Sequence, residues 1–221
     1  MADQMRLTGK TMKIPFRGRD ITYYYQACNA WTHPYPYLEQ GSETLSTSGC
    51  GIFALCHAME WIGGNHPPPA ELADFSLRHG GRGDDGTDRP SLLSAMMQTG
   101  LAGQWGFAYR EDGLLNGTDA LFDHLYTGKG VALCNLRAGH IVALLEARVI
   151  DGQKQVLVID SVAESAHDSI RDRVCEVIPQ SETIRANMNK QGITVSVSHQ
   201  YAMFYTEACL PFDYNLMYTL R

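Results

Sequence analysis

The stretch from Gly51 to Ile62, Gly-Ile-Phe-Ala-Leu-Cys-His-Ala-Met-Glu-Trp-Ile, constrains this chain more than any other. It reads as a helix that is apolar on nearly every face, and such a helix is stable when other elements wrap it on all sides. The domain must therefore be built around it. Gly63-Gly64 ends it. A chain of 221 residues can bury a core of that kind as a single domain spanning 1–221. Immediately before the helix stands Ser48-Gly49-Cys50-Gly51. A thiol at a helix start lies beside the positive end of the helix dipole, which favours thiolate over thiol. The flanking glycines leave room for a substrate backbone to come close.

Composition narrows the function classes. With 44% hydrophobic and 19% charged residues the chain has the make-up of a soluble globular protein. Its formal net charge is -6, without a block of like charges, which argues against nucleic acid or an anionic membrane as partner. The first residues begin no apolar run, and no apolar stretch reaches the roughly 20 residues of a membrane span. The expectation is a cytoplasmic protein without a span, with export by a signal-independent route left open. Six cysteines (28, 50, 56, 134, 175 and 209) lack Cys-x-x-Cys pairs. Reduced thiols are expected rather than disulfides, and no zinc, other metal or organic cofactor. Cys56, Cys134, Cys175 and Cys209 read as small buried hydrophobes and Cys28 as a packed loop or core residue.

Along the chain, 14–25 reads as extended and 27–49 as a loop rich in Pro, Tyr and polar residues. After the central helix, Pro67-Pro68-Pro69 opens a second helix over 70–79, and 80–88 is a Gly/Asp loop. That loop resembles part of a calcium site but lacks the later glutamate, so a solvated loop is expected. Helices follow at 89–99 and 118–126, with a short strand at 106–110 between them. The period then becomes strand-like at 131–136, 139–150 and 154–160, with Asp151-Gly152 as a hairpin turn. A short helix over 181–190 and strands at 193–197 and 200–206 complete the reading. Helices first and an antiparallel sheet afterwards make the fold class α+β: a helical lobe over about 50–128, and a sheet lobe over about 131–221 joined by the N-terminal segment 14–49.

A cysteine nucleophile needs a base, and His140, opening the strand Ile141-Val142-Ala143-Leu144-Leu145 after Gly139, has the best setting among eight histidines. The base needs an acceptor on its other ring nitrogen. Asp160 ends the neighbouring strand, and a regular two-residue turn at 151–152 sets it opposite Ala143. The oxyanion formed by thiolate attack needs donors: the Cys50 amide is one, and Gln26 or Gln40 a second. His57, two turns along the central helix, reads as a packed or hydrogen-bonded histidine. Trp31, Tyr35 and Tyr37 either wall the cleft or pack the loop.

Taken in order, Tyr25-Gln26, Trp31, Ser48-Gly49-Cys50-Gly51, Gly139-His140 and Asp160 resemble a C39-like peptidase of the bacterial branch, within the papain-like cysteine peptidase superfamily. The resemblance covers most of residues 21–162. It implies a papain-like fold, with Cys50 as nucleophile, His140 as base, Asp160 as its orienting residue and Gln26 as oxyanion donor. It further implies a peptide or related amide substrate lined by Trp31, Gly49, Gly51 and Gly139, and hydrolysis through a thioester. The chain departs from the family pattern at Ile52 and Ser161, both usually Pro, and in the loop after Gln26, which lacks the Asp-Pro before the aromatic residue. The same scaffold also allows an acyltransferase or non-peptide amidase, or a catalytically silent peptide-binding module.

Overall fold

The structure is a computed structural model, and it describes residues 11–16, 19–26, 30–109, 114–115, 118–128, 130–136, 139–161, 174–177, 202–206 and 217–220. In chain order its elements are β1 (Thr11–Phe16), β2 (Arg19–Tyr24), α1 (Leu45–Ser48), α2 (Cys50–Gly63), α3 (Pro69–Arg78), β3 (Arg82–Gly83) and β4 (Gly86–Thr87). Then come α4 (Arg89–Gln98), α5 (Leu101–Gln104), β5 (Leu114–Leu115), α6 (Thr118–Tyr126), β6 (Val131–Leu136), β7 (His140–Ile150) and β8 (Gln153–Ile159). The last three are β9 (Val174–Val177), β10 (Ala202–Thr206) and β11 (Met217–Leu220). The class is α+β.

The central helix is α2. Ile52, Phe53, Leu55, Cys56, Ala58 and Met59 have no exposed surface, as its all-round apolar sequence requires. It packs on β6 and β7 on one side and on β2, α3 and β4 on the others. Gly64, with φ 74°, closes it and returns its N–H to the Glu60 carbonyl at 2.8 Å.

Beneath α2 lies a seven-stranded antiparallel sheet in the order β5-β11-β6-β7-β8-β10-β9. Ile141, Ala143 and Leu145 of β7 join the core around α2 together with Val131 and Leu133. Val142 and Leu144 are equally buried but lie outside that cluster. Alternation places them on the opposite face, which α6 covers with Leu121, Phe122 and Leu125. The unbroken apolar run 141–145 is thus a strand buried on both faces. Asp151 and Gly152, with φ 51° and 78°, make the expected tight turn between β7 and β8.

Several elements differ from the sequence reading. The extended segment 14–25 is two strands, β1 and β2, paired antiparallel with Ile14 opposite Ile21. The loop before Cys50 contains α1. The Gly/Asp loop folds into the small ribbon β3–β4, and the Asp88 side chain accepts from the Ser91 N–H to cap α4. No strand forms at 106–109: Phe107 N–H bonds the Ala102 carbonyl and Tyr109 N–H meets Met97 Sδ, so helix ends take these donors. Arg110, the expected helix at 181–190 and the strand at 193–197 lie outside the described residues. The strand expected at 200–206 is present as β10.

Candidate active site

Cys50 is the first residue of α2, and its position is fixed by the joint at Gly49. Gly49 ends α1 and starts α2 at once, donating its N–H to the Leu45 carbonyl while its own carbonyl accepts from Phe53. A Cβ at Gly49 would lie 2.4 Å from the Leu45 oxygen, so only glycine allows this corner. Gly51 answers a different contact, since a Cβ there would lie 2.4 Å from Cβ of Thr87 on β4. Both glycines were expected to open space for substrate, yet the space at each is filled by the protein's own Leu45 and Thr87. Gly139 lies at the surface with φ 74° and open space around its Cβ position. Its requirement for glycine is conformational, as the turn into β7 delivers His140.

His140 opens β7 and Asp160 directly follows β8, two strands whose pairing departs from a regular register. From the turn, Ile150 pairs with Gln153 and Glu146 with Leu157, the register of an ideal two-residue hairpin. A bulge between Leu144 and Glu146 then shifts it, and Ala143 faces Ile159. The expectation that Asp160 stands opposite Ala143 is therefore corrected. The two side chains meet at 2.5 Å between His140 Nε2 and Asp160 Oδ1, with Asp160 fully buried.

Because Nε2 faces Asp160, Nδ1 is the ring nitrogen left for Cys50, to which the imidazole is hydrogen-bonded. Burial pushes the Cys50 thiol up, but the His140 hydrogen bond and charge, with the N–H groups of Ile141 and Gly51, together hold it below its ordinary value. For His140 burial opposes the charged form, and the Asp160 carboxylate beside it prevails, pushing the imidazole up to about 10. Both shifts act in the direction of a thiolate–imidazolium pair.

Gln26 is anchored to Ser161, the residue after Asp160. It donates its backbone N–H to the Ser161 carbonyl at 3.0 Å, and its Oε1 accepts from Ser161 Oγ at 2.9 Å. Both residues are buried. With Oε1 held by Ser161, the Nε2 donor is the opposite end of the amide. Gln40, the alternative donor, is exposed on the loop before α1. The Ser161 contact is one that sequence reasoning missed, since its partner lies 135 residues away.

The remaining candidates have structural surroundings. Trp31 packs on Phe53 with ring centroids 4.9 Å apart and donates Nε1–H to the Tyr25 carbonyl at 2.9 Å. It lines a cavity of about 510 Å³ whose other walls include Glu60, Gly64 and His66, toward the far end of α2. Tyr35 is fully buried, its hydroxyl paired with Ser76 Oγ and Thr87 Oγ1, so it packs the loop. Tyr37 is half exposed. His57 accepts the Tyr24 N–H on Nε2 at 3.2 Å, and burial depresses it to about 3, so it stays neutral. Cys28 lies outside the described residues. Among the described residues, Cys50, Cys56 and Cys134 form no disulfide. Among the described residues there is no group of three or more His, Cys, Asp or Glu side chains placed to hold a metal ion, and no helix long and apolar enough to cross a membrane. No family model, no curated protein and no solved structure matches the chain.

Proposed function

We propose that the chain is a cysteine-dependent hydrolase of papain-like, C39-like type, acting on a peptide or related amide bond. The observation that carries the reading is the unbroken chain from Cys50 through His140 to Asp160, with a depressed thiol at one end and a buried carboxylate at the other. A metal-free acyl transfer needs a nucleophile, a proton carrier and an orienting acceptor in that arrangement. Cys50 thiolate attacks the carbonyl carbon, and the oxyanion is held by the Cys50 N–H at the start of α2 and by Gln26 Nε2. Imidazolium His140 gives its proton to the leaving amine as the C–N bond breaks. Neutral His140 then takes a proton from water, which attacks the thioester and releases the acid and Cys50 thiolate. Asp160 keeps the ring oriented and stabilises its charged form throughout.

The test is covalent labelling with the epoxide E-64, followed by mapping of the modified residue, beside hydrolysis of a peptide library. The reading predicts labelling at Cys50, and loss of both labelling and hydrolysis in Cys50→Ala with the fold retained. Hydrolysis undiminished in Cys50→Ala contradicts it.

A further inference from the structure

We propose that Ser161 is a positioning residue for the oxyanion donor, holding the Gln26 amide in the one orientation that presents Nε2 to the developing negative charge. The inference rests on the proposed Cys50 chemistry and concerns how this chain completes it. Asp160 and Ser161 are consecutive, and each binds a different part of the site: Asp160 holds His140, and Ser161 holds Gln26. One short piece of backbone beyond β8 therefore sets both the base and the oxyanion donor.

The reason lies in the two ends of a primary amide. A glutamine side chain can present either its NH₂ or its oxygen to a given point by turning the amide over. Facing an oxyanion, the first donates and the second repels. Gln26 is 4% exposed, so its Oε1 must find a donor inside the protein or turn toward water. Ser161 Oγ–H is that donor, and Ser161 is itself 2% exposed, which keeps water from competing for it. Without the hydroxyl, a buried acceptor is left unsatisfied, and the amide relieves this by swinging its oxygen toward the open cleft. The backbone bond from Gln26 N–H to the Ser161 carbonyl does not depend on the hydroxyl. Ser161→Ala should therefore disturb the side-chain orientation while leaving the chain path anchored.

Two small probes separate this role from a general structural one. p-Nitrophenyl acetate acylates Cys50 through a tetrahedral oxyanion: the S–C bond forms, the C–O bond to the aryl group breaks, and p-nitrophenolate leaves with the electron pair. Iodoacetamide alkylates the same thiolate by displacing iodide at a saturated carbon, and no oxyanion forms. Removing an oxyanion donor outright costs about 10²–10³ in rate, and a donor misoriented part of the time costs less, about tenfold. Ser161→Ala is expected to acylate about tenfold more slowly with its iodoacetamide rate unchanged. Ser161→Thr, which keeps the hydroxyl, is expected to restore acylation. In a Gln26→Ala background, Ser161→Ala is expected to have no further effect, because the two act as one unit. Acylation at the wild-type rate in Ser161→Ala, equal loss with both probes, or additive losses with Gln26→Ala would each overturn the proposal. Failure of the underlying reading has its own signature: Cys50→Ala then still acylates at the wild-type rate, or Gln26→Ala alone leaves acylation unchanged.

Discussion

At the scale of single residues, the account depends on Asp160 raising His140 and His140 lowering Cys50. Each shift comes from a neighbour that can be removed. The pair is charged at pH values between the depressed Cys50 value and about 10. Replacing Asp160 by Asn removes the charge that favours imidazolium. His140 then loses its proton at lower pH, and Cys50 loses its partner and forms thiolate at higher pH. The alkylation midpoint of Cys50 in Asp160→Asn is expected to rise by about one pH unit or more, measured as iodoacetamide rate against pH. An unmoved midpoint would detach Asp160 from the site. The positions of Cys50, His140, Asp160 and Gln26 were legible because each sits at an element boundary marked by glycine, turn or a change of period. Ser161 was not: its hydroxyl reaches Gln26 across 135 residues of chain, and no local pattern signals such a contact.

At the scale of elements, the informative features are a corner and a bulge. Gly49 and Gly51 read in sequence as room for substrate, whereas they let α2 meet Leu45 and Thr87 at a distance no side chain permits. Gly51→Ala is therefore expected to destabilise the fold by about 1–3 kcal/mol through overpacking at Thr87. Because the conflict is with Cβ of Thr87, Thr87→Ala should give little rescue and Thr87→Gly should give much more; urea denaturation of the three variants measures this. Stability of Gly51→Ala equal to wild type would contradict the close approach. The central helix and the β7–β8 hairpin were legible because their apolar runs and the Asp-Gly turn are local signals. The bulge before Glu146 was not, since Leu144, Leu145 and Glu146 continue the strand without a glycine or proline. It sets Ala143 opposite Ile159, so Asp160 does not face Ala143.

At the scale of the whole molecule, the chain beyond Ser161 supplies β9, β10 and β11, three of the seven strands of the sheet. β11 lies between β5 and β6, and β10 pairs with β8 from Ala202 opposite Ile159 to Thr206 opposite Gln155. Little in the sequence foretold this, because strand order is set by long-range pairing while periodicity reports only that a segment is extended. Truncation after Ser161 would leave both β6 and β8 as open edges of an apolar sheet. The expected outcome is aggregation of the truncated chain, read by size-exclusion chromatography beside the full chain. Elution as a folded monomer with intact thiol reactivity would show that the sheet does not need these strands.

The most direct measurement of the central claim is the pH profile of Cys50 alkylation by iodoacetamide, assigned to that residue by mass spectrometry, in the wild type and in His140→Ala. The account predicts a midpoint below the roughly 8.5 of an ordinary thiol in the wild type, and a return toward it in His140→Ala. A wild-type midpoint at or above that value, unchanged by removing His140, would contradict the thiolate–imidazolium pair and with it the proposed chemistry.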